Sequence, residues 1–332
     1  MRKILWVVML ALLAWCGWWW LASAGLRGGV EAWFDDRAAE GWQADLGNVE
    51  GGGFPLTLRA GLRDIAVADP DAGLAVETAA LDISAPAWWP GDVTVQLDDG
   101  PILLASPLGR STLTMQDGTM ALQLHPGTAL ELEALGWTAG AWQVSDATGV
   151  QMSADALTLT MTQTEGATYD LVARADTFAP GDATRAALRL PDSIPAAFDS
   201  LQMQATVTFD TAWDRRALDQ ARPQPRRIDL HLAEARWGDL RLNLSAALDV
   251  DQAGVPTGTV AIQAENWRAM LDVAQTAGIL PPQLRGQAEG ILNALAGASG
   301  NAETLDVELT LDGGAVRLGF IPIAPAPRLI IR

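Results

Sequence analysis

The sequence predicts a mainly β protein of the α+β class: an N-terminal transmembrane helix, then curved antiparallel sheets covered by a few helices. Three observations predict it. Residues 4–24 read ILWVVMLALLAWCGWWWLASA and carry no charge. Most of the remaining chain alternates apolar with polar residues, the pattern of strands wetted on one face. A helical period returns strongly only over residues 266–297, between two such strands.

As a helix, Ile4 to Trp20 would cover roughly 25 Å, close to the hydrocarbon thickness of a bilayer once the flanks are added. Arg2 and Lys3 precede the run; Arg27, Glu31, Asp35 and Asp36 follow it. Basic residues ahead of the run place the N-terminus in the cytoplasm and the body outside. The expected location is therefore the inner membrane, single-pass, with a periplasmic body. Trp15, Trp18, Trp19 and Trp20 then fall at the outer interface, where indole rings settle. The competing reading is a signal peptide cut after Ala24, since Ala22-Ser23-Ala24 fits an A-x-A cleavage pattern. That would leave a soluble periplasmic body. The length of the run and the Trp cluster favour retention. Cys16 does not read as a lipoprotein cysteine, because Trp15 rather than a small residue precedes it. It is the one cysteine of the chain, so no disulfide can form within it, which suits export of the body.

Residues 26–41 read as a short helix leaving the membrane, with Val30, Trp33, Phe34 and Ala38 on one face and Gly41 as its end. The glycines of GGGFP (51–55) do not cradle a phosphate, because strand rather than helix follows them. They read as a flexible run-up to a strand that begins with Leu56 and Leu58. Ile65 and Val67 fall on the opposite parity from Leu58 and Leu62, so a bulge or bend is expected near Arg63-Asp64. Alternation then marks 92–98, 119–125, 156–162, 203–210, 240–250 and 305–311 as strands. Asp99-Gly100, Asp117-Gly118 and Asp312-Gly313 lie between such runs and predict tight hairpins, since Asp-Gly tolerates positive φ. Asn266 is expected to cap the helix WRAMLDVAQTA, with Gly278 as its stop. Pro281-Pro282 opens a second helix that ends at Gly297. The two make an αα-hairpin covering the sheet through Trp267, Met270, Leu271 and Ala274 on one helix, and Leu284, Ala288, Ile291, Leu292 and Leu295 on the other. The expected organisation is 1–25 as anchor or signal segment, 26–190 as an N-terminal β-rich part, and 191–332 as a C-terminal β-rich part with the helical hairpin.

Composition excludes several functions. The chain has 332 residues and a formal net charge of -18, which repels phosphate backbones and argues against nucleic acid as a partner. Two histidines and one cysteine give no sequence-level case for a metal or cofactor site. No nucleophile elbow, Walker motif, zinc helix or calcium loop occurs. His125 precedes Pro126 in a strand-end turn. His231 falls on a polar strand face, expected to pair there with Asp229. Asp35-Asp36 lie on a helix surface and Asp98-Asp99 in a turn, without the facing geometry of a glycosidase. The basic stretch 214–227 reads as a loop. Its Arg215, Arg216, Arg226 and Arg227 are candidates for anionic headgroup or acidic partner contact.

Three stretches carry a resemblance: GGGFPLTLRAGLRDIAVADP (51–70), APAWWPGDVTVQL (85–97) and LDVELTLDGGAVRLGFIPIAPAP near the end. With the N-terminal anchor they resemble a Gram-negative envelope family, the domain of unknown function twenty-one twenty-five. The matching residues are Gly53, Phe54 and Pro55 at a strand start, Pro90 before Val93, and Gly313, Leu318, Gly319 and Pro322 at the close. The resemblance brings no known activity and no catalytic residues. More loosely, an anchor followed by amphipathic strands, as in residues 240–267, is similar to AsmA-like envelope proteins. That similarity implies a role in outer-membrane assembly or phospholipid movement.

The expected function is non-enzymatic: an anchored, exported envelope protein that binds or moves a lipid-like ligand along an apolar sheet face. Val93, Val95, Leu97, Leu157, Leu159, Met161, Leu242 and Leu244 are its lining candidates, and phospholipid and other envelope proteins its expected partners. The alternatives are a scaffolding protein with a sealed β core and, third, an exported hydrolase. An open apolar trough favours the first reading; a sealed interior favours the second.

Overall fold

A computed structural model describes residues 2–219, 222–299 and 303–331. The chain divides into two units: Met1–Leu124 with Trp137–Ala147, and His125–Gly136 with Thr148–Arg332. Strand dominates both, with antiparallel pairing.

The first unit begins with α1 (Arg2–Ala39), one unbroken helix. The short helix expected over 26–41 is its C-terminal end. Gly25, Gly28 and Gly29 stay on the exposed side. Each costs the helix about 1 kcal/mol relative to alanine, a cost offset by packing on the opposite side. That side runs through Trp15, Trp19, Ser23, Leu26, Val30, Trp33, Phe34 and Arg37 at steps of three and four, while Ala38 is exposed.

Then β1 (Gln43–Gly52) and β2 (Thr57–Asp69) form a hairpin, and β3 (Leu74–Pro86) pairs with β2. The glycines of GGGFP therefore end a strand instead of leading up to one. Gly51 and Gly52 still pair with Ala60 and Arg59. Gly53 makes the turn at φ 96, where an added Cβ would lie 2.4 Å from the Thr57 carbonyl oxygen. Leu56 belongs to this turn and is exposed; Leu58 is the first buried residue of β2.

The irregularity expected at Arg63-Asp64 is a bend without an extra residue. Asp64 adopts a left-handed φ of 51, which flips side-chain parity. Register is unchanged across it: Arg63 and Ile65 pair with Asn48 and Leu46 on β1. Leu62, Ile65 and Val67 thus reach one cluster with Phe34, Ala60, Leu81 and Ile83.

β3 next forks. Its C-terminal half pairs with β4 (Asp92–Leu97), which pairs with β7 (Thr119–Leu124). Its N-terminal end pairs with β5 (Ile102–Ser106), followed across the sheet by β6 (Gly109–Met115) and β9 (Trp142–Asp146). β8 (Leu132–Ala139) spans the stretch where the chain divides. The fork overturns two expected hairpins. Asp99-Gly100 joins β4 to β5, and Asp117-Gly118 joins β6 to β7, but neither pair of strands bonds together. β4 and β5 lie end to end along β3, whose 13 residues leave room for two shorter partners.

The second unit continues with β10 (Gly149–Ala154), β11 (Ala156–Glu165), β12 (Thr168–Asp176), β13 (Ala179–Pro180), α2 (Asp182–Ala187) and β14 (Ser200–Phe209). After α3 (Arg216–Asp219) come β15 (Pro225–Trp237), β16 (Leu240–Val250) and β17 (Pro256–Glu265). The helices α4 (Trp267–Thr276) and α5 (Pro282–Ser299) precede β18 (Thr304–Asp312), β19 (Ala315–Leu318) and β20 (Ile321–Pro325). The order β11-β12-β14-β15-β16-β17-β18-β19-β20 is an antiparallel meander. β13 pairs instead with β10. Here Asp312-Gly313 does turn a hairpin, with Gly313 and Gly314 at φ 58 and 76.

The αα-hairpin forms as expected, with two corrections. Asn266 does not cap α4 through its side chain: it is left-handed at φ 57, and its amide donates to the Asp239 carbonyl at 2.9 Å. On α5, Leu292, Leu295 and Ala296 pack inward, whereas Leu284 and Ile291 are exposed. Trp267, 2 % exposed, anchors the pair against Ala264 and Leu305.

Candidate functional site

Two features stand out, one in each unit. The first is the seam between α1 and the turns of its own sheet. Three indole N–H groups donate to backbone carbonyls: Trp15 to Pro55 at 3.0 Å, Trp19 to Thr57 at 2.8 Å and Trp18 to Ala87 at 2.8 Å. Trp19 also meets Phe54 edge-on, with ring centroids 5.2 Å apart. A helix that presents Trp at positions three and four apart reaches two neighbouring turns at once. Gly51 permits the approach, since a Cβ there would lie 3.1 Å from the Arg27 side chain. Ser23, in the middle of the A-x-A pattern, is 3 % exposed. The sequence marks these tryptophans as interfacial rings; their role as donors to Pro55, Thr57 and Ala87 needs the tertiary structure.

The second feature is the apolar face of the meander. Ladder register places Leu159, Ala173, Met203, Ala233, Leu244, Ile262 and Val307 side by side across seven strands. Six inter-strand steps make this row about 29 Å long. Every member is half-buried. The next row holds Leu157, Ala175, Leu201, Ala235, Leu242, Ala264 and Leu305, and here the α4–α5 hairpin covers one end. On the other side Tyr169, Val207, Phe209, Leu248 and Leu311 are buried. The Tyr169 hydroxyl accepts from the Trp213 backbone N–H at 3.0 Å, and Phe209 packs edge-on against both Tyr169 and Trp213. Burial pushes the Tyr169 phenol up, partly opposed by that hydrogen bond. Both flanks of the face are thus closed, and its middle row is half-buried, with Val307 at its end packed against the hairpin cluster.

The structure brings Leu157, Leu159, Met161, Leu242 and Leu244 onto this one face, Leu159 and Leu244 in the same row. Val93, Val95 and Leu97 lie apart in the first unit. Val95 stands opposite Ile83 and Leu97 opposite Leu81, on the face whose cluster α1 covers.

The polar side of the meander carries His231. It sits in a β-bulge of β15, in a shallow hollow with Asp229, Ser245 and Thr259. Its partner is not Asp229, which takes Arg227 at 2.8 Å. Instead His231 Nε2 meets Thr206 Oγ1 at 2.9 Å, and Thr206 donates to Asp170 at 2.6 Å. With the hydroxyl proton committed to Asp170, Nε2 must be the donor to Thr206. A hydrolytic triad places histidine between carboxylate and nucleophile; here threonine occupies the middle, and no hydrogen bond joins His231 to Ser245. His125 bonds Gln163 at 2.8 Å in the turn after β7.

The basic stretch is not all loop. Arg216 lies on α3, and Arg226 and Arg227 lie on β15, because Pro225 already pairs with Phe209. Arg216 pairs with Asp214 at 2.7 Å, Arg226 with Asp210 at 3.0 Å, and Arg227 with Asp229 and with Asp249 at 3.2 Å. The hydrogen bond from Arg216 holds the Asp214 carboxyl below its usual range. Arg215 is exposed.

A family model described as an uncharacterized protein conserved in bacteria (DUF2125) matches residues 19–327. The chain belongs to this family. The match opens at Trp19, so the DUF2125 region takes in the sheet-packed half of α1 together with both units. The Gly-Phe-Pro, Pro90 and Leu318-Gly319-x-x-Pro322 positions all fall within it. No curated protein matches the chain.

Proposed function

We propose that this DUF2125 protein is a membrane-anchored component of the bacterial cell envelope that holds a lipid-like ligand on the apolar face of its second unit, without catalysing a reaction. The single observation that carries the reading is the central row from Leu159 to Val307, half-buried over its whole length. Leaving that much apolar surface partly wet is unfavourable at roughly 25 cal/mol per Å², and an acyl chain laid along the row would relieve it. Retention of α1 as the anchor is supported by its 38 unbroken residues and by Ser23 packed against the sheet. Cutting after Ala24 would remove all three indole donors. Arg2 and Lys3 favour a cytoplasmic N-terminus.

The test is to purify the full chain in a mild detergent, extract it with organic solvent and weigh the lipids recovered. Wild type should carry lipid, and Leu244→Asp or Ile262→Asp should lose most of it while keeping the wild-type circular dichroism. Equal lipid in all three would overturn the reading. A scaffolding role is the second reading, favoured by the exposed Phe320, Ile321 and Ile323 around the edge strand β20. It would be supported if crosslinks from β20 recovered one fixed partner and the purified chain carried no lipid.

A further inference from the structure

Helix α1 meets its own sheet too early for a simple tether. From Ile4 to Ala14 every residue is exposed. These eleven residues span about 16 Å at ~1.5 Å per residue, against a hydrocarbon core of ~30 Å. The remaining distance needs about nine more residues, which carries the helix to the neighbourhood of Ser23. Trp15, Trp18 and Trp19 lie inside that stretch and are already bonded to the turns at Pro55, Thr57 and Ala87. If α1 spans the bilayer, those turns are in it too.

The turns are built for that position in two ways. Residues 51–57 (GGGFPLT) and 85–91 (APAWWPG) carry no charge, and they expose Phe54 at 56 %, Leu56 at 58 % and Trp88 at 64 %. Many of their carbonyls are also hydrogen-bonded. Besides the three bonded by indoles, Gly53 accepts from Thr57 N–H at 2.9 Å, Leu56 from Ala87 N–H at 2.8 Å and Pro86 from Trp89 N–H at 3.2 Å. Irregular backbone is costly in hydrocarbon because its polar groups go unpaired. Here the helix and the two turns supply partners for six of those carbonyls themselves.

We propose that the turns at Gly53–Leu56 and Ala87–Trp88 are sunk, with Trp18 and Trp20, into the bilayer leaflet on the body's side, forming an apolar collar around α1. The sheet of the first unit then stands on the membrane, held at fixed depth, with no flexible linker below it. The proposal rests on the reading of α1 as a retained anchor and adds a lipid-contact surface to it.

The experiment uses the full chain in a Cys16→Ser background, reconstituted in phosphatidylcholine–phosphatidylglycerol vesicles closed in the presence of a water-soluble nickel chelate. Nitroxide labels are placed one at a time at Leu10→Cys, Phe54→Cys, Trp88→Cys and Leu108→Cys. Leu108 is fully exposed in the turn between β5 and β6, beyond the opposite end of β3 from Pro86. Labels at 54 and 88 should collide with the chelate at least tenfold less often than the label at 108, and should favour oxygen, as the label at 10 does. Water-like behaviour at both 54 and 88 with a lipid-like label at 10 would overturn the collar and leave the anchor standing. A water-like label at 10 would overturn the anchor, and the collar with it. Two independent positions guard against local damage by either substitution.

Discussion

The two units solve the same problem in opposite ways. Each has a sheet with one apolar face. In the first unit that face is closed by a helix from the same unit: α1 lays Leu26, Val30, Trp33 and Phe34 over Ala60 and Leu62, which are buried. In the second unit, α4 and α5 reach only one flank of the face, and the Tyr169–Phe209–Trp213 cluster fills the other. Of the middle row, Val307 packs against the hairpin cluster; no helix packs on Leu159 to Ile262 among the described residues. That one chain holds both a half-buried apolar face and a sealed one teaches that strand alternation builds both, and that the covering element decides which face becomes core.

The sharpest test of this contrast is a pair of truncations. Leu62→Ala, in the sealed cluster, should cost about 2–5 kcal/mol of stability. Leu244→Ala, in the half-buried row, should cost about 1 kcal/mol, because part of the side chain is already wet. Urea unfolding of the detergent-solubilised chain measures both, and equal costs would erase the distinction. Gly47→Ala comes next. The new Cβ would lie 2.9 Å from the Asp64 Cβ across the β1–β2 ladder, so about 1–3 kcal/mol should be lost. A silent substitution would mean that the bend at Asp64 relaxes freely.

Alkaline pH should probe the closed flank of the second unit. Burial raises the Tyr169 phenol, and the Trp213 N–H opposes it only in part. A raised folded value means full stabilisation below the ordinary phenol value near 10, then loss as pH climbs through the folded value. Unfolding midpoints followed from pH 9 to 12 should fall in wild type and fall less in Tyr169→Phe. The smallest expected effect is a gain. Asp64→Gly removes a left-handed non-glycine residue, and the relief of backbone strain should exceed the entropy glycine adds by about 0.5 kcal/mol. Thermal melting would detect it.

Much of this was legible in the sequence. The six alternating runs all centre on strands, the αα-hairpin forms where its two stripes lie, and Gly278 follows α4 at φ 76. Parity alone located the bend at Asp64, because an odd step in an alternating pattern has few causes. The errors were of another kind. Asp-Gly between two strands looks like a hairpin at 99–100 and 117–118, yet β4 and β5 both pair with β3, β7 pairs with β4, and β6 pairs with β5 and β9. The strand pattern alone pairs His231 with Asp229 on its own strand; its partner, Thr206, stands on the neighbouring one. For the site, the lining candidates Leu157, Leu159, Met161, Leu242 and Leu244 were visible singly, and their membership of one face was not.

The sequence by itself determined where strands run, which residues on each strand are apolar, and that one uncharged segment is long enough to span a bilayer. Periodicity and hydropathy are local properties, and a short window contains them. Only the tertiary structure decided that the tryptophans of that segment hold the turns of a sheet, that α1 covers one apolar face, and that the middle of the other stays half-buried. Those outcomes depend on which surfaces meet across tens of residues of intervening chain. Alternation specifies that a face needs cover; the packing of distant elements determines whether it receives any.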